Sequence, residues 1–192
     1  MTQRIIFIVF IMLPITMYAQ KRPRDLGIKI GVLNTGTLNA ITDVVGVKVG
    51  QVTIQDGYDI NTGVTAILPH EGNVFQQKVL GAVYVGNGFG KFAGSTQIEE
   101  LGTIETPIVL TNTLSIPAAS DALIDWTLGQ AGNDKVKSVN PVVGETNDGY
   151  LNNIRDRAIS KTHVLNALAQ AQPGKVEEGN VGAGTGTVCF NW

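Results

Sequence analysis

Bases and nucleophiles in enzymes are drawn most often from histidine, cysteine and serine. This chain holds two histidines, His70 and His163, and one cysteine, Cys189. His70 follows Pro69 in a predicted loop, where a structural or surface role suits it better than catalysis. His163 falls in the polar first turn of a predicted helix and reads as a solvated side chain rather than a base. Cys189 stands in a predicted strand and reads as a small buried apolar residue. A single cysteine forms neither an internal disulfide nor a thiolate metal cluster, so no metal is expected. Serines occur, but none within a Gly-x-Ser-x-Gly elbow. Gly182-Ala183-Gly184-Thr185-Gly186 has the glycine density of a dinucleotide fingerprint. A strand, not a helix, is predicted after it, so no helix dipole is available for a pyrophosphate. Gly86-Asn87-Gly88-Phe89-Gly90-Lys91 fails the phosphate-loop spacing, and no Ser or Thr follows Lys91 to hold magnesium. No cofactor is expected.

The elements that must position any chemistry are short. Val47–Ile54 alternates in the strand manner between Gly46 and the Asp56-Gly57 turn pair. Val64–Leu68, Val79–Val85, Pro107–Thr113, Pro141–Val143 and Thr187–Phe190 read as further strands. Ala118–Leu128 places Ala119, Leu123 and Trp126 at helical spacing after Ser115 and Pro117. A second helix begins after Ser160 as N-cap and is stopped by Pro173-Gly174. The pattern is α+β.

Composition agrees with a folded domain. Of 192 residues, 43% are hydrophobic and only 16% charged, which excludes a disordered chain. The 23 glycines follow no three-residue period, which excludes collagen. A formal charge of -2 gives no electrostatic reason to expect a nucleic-acid partner. At the N-terminus, Arg4 precedes an apolar run, Ile5–Ile15, too short to span a bilayer comfortably. Residues 1–19 read as a secretory signal peptide cut ahead of Gln20, with a periplasmic or secreted product and no membrane association afterwards.

The remaining strings are polar and glycine-rich. They are Arg24-Asp25-Leu26-Gly27, Leu38-Asn39-Ala40-Ile41-Thr42-Asp43-Val44 with Gly46-Val47-Lys48-Val49-Gly50, and Thr62-Gly63-Val64-Thr65. Asn87-Gly88-Phe89-Gly90 and Leu110-Thr111-Asn112-Thr113 follow. Pro141-Val142-Val143-Gly144-Glu145-Thr146 with Tyr150-Leu151-Asn152, and Glu178 through Gly186, complete the series. In this order the strings resemble the L-aminopeptidase/D-esterase family, which includes the β-peptidyl aminopeptidases.

The resemblance implies a precursor that cuts itself into an α and a β chain, exposing a serine at the new N-terminus. That hydroxyl is the nucleophile and its own α-amine serves as base, since such an amine titrates near about 7.7–8.0. It also implies a four-layer αββα sandwich like that of the N-terminal nucleophile hydrolases. By the Tyr150-Leu151-Asn152 string, Asn152 resembles the asparagine whose side-chain amide helps form the oxyanion hole; a turn residue capping local backbone is the competing reading. Tyr150 and Asn147 are weaker candidates for lining the same pocket.

In the family, a Lys-Gly-Gly-Ile-Gly-Thr-Ser type segment with the cleavage site follows the glycine strand, and no such segment stands before Trp192. Residues 20–192 are therefore expected to be an α-chain portion truncated before the nucleophile and inactive alone. Its expected partners are the missing β chain, a short peptide or amino-acid amide or ester substrate, and further αβ units in a homo-oligomer. Two other readings stay open: half of an ornithine acetyltransferase-like acyltransferase, and a non-catalytic truncated descendant.

Overall fold

The computed structural model describes residues 22–189. The predicted signal peptide and Phe190 lie outside them. The chain divides into two units, one up to Val32 and one from Leu33 onward. In the first, Pro23–Leu26 forms a single 3-10 turn. Asp25 accepts the Arg22 N–H at 3.1 Å, and Gly27 closes the turn at φ 82°, a conformation open to glycine without strain.

The second unit is built on a five-stranded sheet. Its strands are β1 (Lys48–Asp56), β2 (Ile60–Leu68), β4 (Phe92–Ala93), β6 (Ile108–Asn112) and β7 (Val142–Thr146). A separate pair joins β3 (Val79–Leu80) to β5 (Thr103–Ile104). The helices are α1 (Ser95–Leu101), α2 (Ile116–Leu128) and α3 (Lys161–Ala169). Strand order in the sheet is β1-β2-β6-β7-β4. Only β6 and β7 run parallel; the other neighbours are antiparallel. A parallel pair needs a crossover, and the connection between them carries α2.

Alternation decides what each face meets. Val64 and Ala66 of β2, Val109 of β6 and Val143 of β7 are fully buried against one layer of helices. That layer contributes Ala119, Ala122 and Leu123 of α2 with Val164, Ala167 and Leu168 of α3. The small residues bring backbones close: a Cβ on Gly50 would overlap the Ala167 carbonyl. α2 begins at Ile116, two residues ahead of the predicted Ala118, with Pro117 in its first turn, and Ser115 does not cap it through its side chain. Asn112 instead accepts the Ser115 N–H at 3.0 Å. α3 begins at a capping box in which Ser160 and His163 satisfy each other's backbone N–H groups.

The opposite face carries the C-terminal glycine string. Gly182 N–H donates to Thr53 Oγ1 at 2.8 Å and Ala183 N–H to Thr65 Oγ1 at 3.0 Å. A Cβ on Gly63 would overlap Gly182 O, so the string lies directly on the strand.

Several sequence expectations are corrected. The predicted strand Val79–Val85 ends at Leu80, because its partner β5 is only two residues long and Leu80 is largely exposed. Helix α1 was not predicted; it is one short span between Gly94 and Gly102, both at positive φ. Thr187–Cys189 forms no strand among the described residues. Thr187 turns back instead, its N–H and hydroxyl both donating to Gly184 O. Cys189 is exposed rather than buried, because that backward turn leaves it beyond the packed part of the string.

Candidate active site

β6 and β7 end at the sheet edge where β2 begins, since β2 runs opposite to both. Buried amides and hydroxyls gather there. Asn112, 1% exposed, donates from Nδ2 to Thr62 Oγ1 at 2.9 Å while its Oδ1 accepts Ser115 N–H. Thr111 donates its hydroxyl to Gly63 O at 3.1 Å. Beside them Glu145, at the end of β7, is nearly buried. Its Oε1 accepts the Thr113 hydroxyl at 2.9 Å and its Oε2 the Lys91 N–H at 2.7 Å. The Lys91 ammonium stands 3.7 Å from that oxygen, and lies over the Phe89 ring. Lys91 and Glu145 line an open cavity of about 600 Å³ with Tyr84, Phe92, Ser95 and Leu110.

The loop leaving β7 holds the predicted site residues. Asp148 O accepts the N–H groups of Leu151 and Asn152, closing a tight turn. The Asp148 side chain is buried, and its Oδ1 has no hydrogen-bond partner among the described residues. Asn152 is 7% exposed, and its Oδ1 accepts the backbone N–H of Asn61 at 3.0 Å. That bond fixes which way the amide points: the oxygen faces β2, and the NH₂ group is the available donor. Among the described residues no acceptor holds that NH₂. The backbone group that the Asn152 oxygen caps is not local but lies 91 positions away.

Asn61 also donates its own side-chain NH₂ to Leu151 O at 3.0 Å, and Asn153 N–H donates to Asp59 O at 2.6 Å. The loop is thus stapled to the β1–β2 turn on both sides of Asn152. Asn147 and Tyr150 stand apart from this arrangement. Asn147 is exposed and its Oδ1 accepts Gly149 N–H at 3.0 Å, while Tyr150 is 86% exposed. Neither shares a hydrogen bond with Asn152.

Both histidines have structural occupations. His70 Nδ1 accepts Gly72 N–H at 3.0 Å, so Nε2 carries the proton and donates to Gln77 O at 2.8 Å. His163 Nδ1 accepts Ser160 N–H at 3.1 Å in the α3 cap, a more specific role than the solvated side chain expected. Among the described residues no group of three or more His, Cys, Asp or Glu side chains could hold a metal ion. Sequence reasoning missed Asn61 as a site residue altogether. Thr62, Asn112 and Glu145 lay within strings it had noted, but only their coming together at one edge distinguishes them.

The described residues thus form a mixed sheet, packed on helices, with buried amide and hydroxyl side chains gathered where its central strands end. Comparison with known proteins places the chain more narrowly. Residues 39–192 match the model of peptidase family S58, and the chain belongs to that family. It is 37% identical over 179 residues to the β-peptidyl aminopeptidase BapA of Sphingosinicella microcystinivorans, covering 89% of this chain and 44% of that protein. The β-aminopeptidase of a Burkholderia species is similar in structure with a TM-score of 0.83 and 45% identity, covering 88% of this chain and 48% of that one. The L-aminopeptidase D-Ala-esterase/amidase of Ochrobactrum anthropi, a variant of the Ntn hydrolase fold, matches with a TM-score of 0.80 and 36% identity. That match covers 89% of this chain and 50% of the other. The chain spans about half the length of these relatives.

Proposed function

We propose that this chain is the α portion of a self-cleaving serine aminopeptidase or amidase that releases N-terminal amino acids from peptides, amides or esters. The observation that carries the reading is the orientation of Asn152. An oxyanion hole needs a donor aimed in advance at the place where negative charge develops. Asn152 has its oxygen engaged by Asn61 N–H, which leaves the NH₂ group of a largely buried side chain as a preset donor. In this reading the nucleophile is a serine in the part of the complete protein that follows residue 192. Its own α-amine takes the hydroxyl proton, and Asn152 stabilises the tetrahedral oxyanion.

The partners in this reading are a β chain that completes the sandwich and further αβ units in a homo-oligomer. The β chain would cover the exposed apolar side chains of Leu80, Tyr84, Val85 and Phe89, which lie in β3 and the segment between β3 and β4. The signal-like segment at residues 1–19 supports export to a periplasmic or extracellular compartment.

The test compares two polypeptides. Residues 1–192 alone should hydrolyse no amino-acid p-nitroanilide above background and should not cleave themselves. The complete polypeptide should cleave and then turn the substrate over. Robust hydrolysis by residues 1–192 would show that the nucleophile lies within them.

A further inference from the structure

Asn61 lies between two parts of the site that are remote in sequence. Its N–H donates to Asn152 Oδ1 at 3.0 Å, and its side-chain NH₂ donates to Leu151 O at 3.0 Å. Its own Oδ1 accepts from Gln55 Nε2 at 3.3 Å, which fixes its amide from the neighbouring strand. On the other side, a Cβ on Gly186 would overlap the Asn61 carbonyl, and Gly186 sits at φ 71°. The glycine string therefore passes in backbone contact with Asn61 before leading into residues 187–189. One residue thus touches the loop holding the candidate oxyanion donor and the glycine string that leads toward the proposed cleavage point.

We propose that Asn61 is a positioning residue for the Asn152 amide donor, holding it in place beside the segment that follows Gly186. This inference rests on the oxyanion reading of Asn152. Asn61 contacts no reacting atom; it acts by fixing the loop. The backbone N–H sets the direction of the Asn152 amide, and the side chain prevents Leu151-Asn152 from lifting away from β2. Misplacing a reacting group by about 1 Å costs up to about 100-fold in rate, so loosening this staple should act on turnover rather than on binding.

The experiment uses the complete, self-cleaved enzyme and an amino-acid p-nitroanilide. Asn61→Ala removes the Leu151 staple and leaves the backbone donor. It should lower kcat by about 10- to 100-fold with KM within about twofold. Asn61→Asp keeps the bulk but loses the donor, and should give the same loss, so the test survives if Asn61→Ala folds poorly. On an Asn152→Ala background, either substitution should change kcat by less than about twofold, since interacting residues are not additive. A merely structural role would instead reduce active protein and melting temperature, and would act equally on both backgrounds. If Asn152→Ala and Asn152→Asp both lower kcat but the Asn61 variants do not, the positioning role is overturned and the oxyanion reading stands. A full Asn61 loss persisting without the Asn152 amide overturns it too. If Asn152→Ala leaves kcat intact, both fall.

Discussion

The side-chain oxygen of Asn152 accepts the backbone N–H of Asn61 at 3.0 Å, across 91 positions of sequence. That bond converts an amide that could face either way into a donor with one direction. It also makes Asn152→Ala an impure probe, because truncation strands a backbone N–H as well as removing the NH₂ group.

Asn152→Asp is cleaner. The carboxylate still accepts from Asn61 N–H but presents an oxygen where the donor stood. In the complete enzyme kcat should fall by at least about 10²–10³, the loss typical of one oxyanion donor. The melting temperature should stay close to that of the parent. Asn153→Ala is the control, since Asn153 is exposed and contributes its backbone N–H to Asp59 O. Equal kinetic losses at 152 and 153 would mean that the donor lies elsewhere.

Two glycines separate turn chemistry from close packing. Gly57 sits at φ 57° with nothing near a Cβ, whereas a Cβ on Gly63 would overlap Gly182 O and crowd Val52 O at 2.6 Å. Asparagine tolerates left-handed backbone, so Gly57→Asn should cost under about 1 kcal/mol. Gly63→Ala should cost about 1–3 kcal/mol or more by overpacking. Urea midpoints in the reverse order would show that the glycine string does not rest on β2.

Glu105 predicts a pH dependence of stability. It is 6% exposed and accepts from Asn140 N–H at 2.8 Å, Asn140 Nδ2 at 2.9 Å and the Lys78 ammonium at 3.0 Å. Burial works against its charge, but the Asn140 and Lys78 donors outweigh it and hold the carboxyl below its usual range. The unfolded chain, with glutamate near about 4.3, then binds the proton first as pH falls. The contribution is complete above about pH 5.5 and is lost as pH drops through the ordinary glutamate range toward the lowered value. Glu105→Gln should cost about 1.5–3 kcal/mol at pH 7, and the gap to the parent should narrow toward pH 3 in urea titrations. A gap constant over that range would remove the ionised carboxylate from the account.

Cys189 should label readily in residues 1–192 under native conditions, since its thiol is exposed. One equivalent of a thiol reagent should react without denaturant. Protection until unfolding would restore the buried residue expected from sequence.

Much of the framework was legible in the residue pattern. Period-two alternation located β1, short apolar runs located β2, β6 and β7, and Pro117 and Ser160 marked the starts of α2 and α3, because these signals act within a few residues of chain. Three features escaped it. The strand expected over Val79–Val85 stops at Leu80, and Thr187–Cys189 pairs with nothing among the described residues, since a strand exists only where another offers its hydrogen bonds. α1 is too short for helical periodicity to reveal.

The site divides the same way. The order of glycine-rich and polar strings was enough to point to the family and, through it, to Asn152. Which way that amide points, and that Tyr150 and Asn147 stand outside its hydrogen bonding, were decided only when the loop after β7 folded against the start of β2. Asn61 had no local signature at all. Its backbone N–H, near the start of β2, is one that every residue but proline carries, and its side-chain amide finds Leu151 O only across 90 positions of sequence. Chemistry written in side-chain type can be read from sequence; chemistry written in the direction of a hydrogen bond between distant segments exists only once the chain has closed on itself.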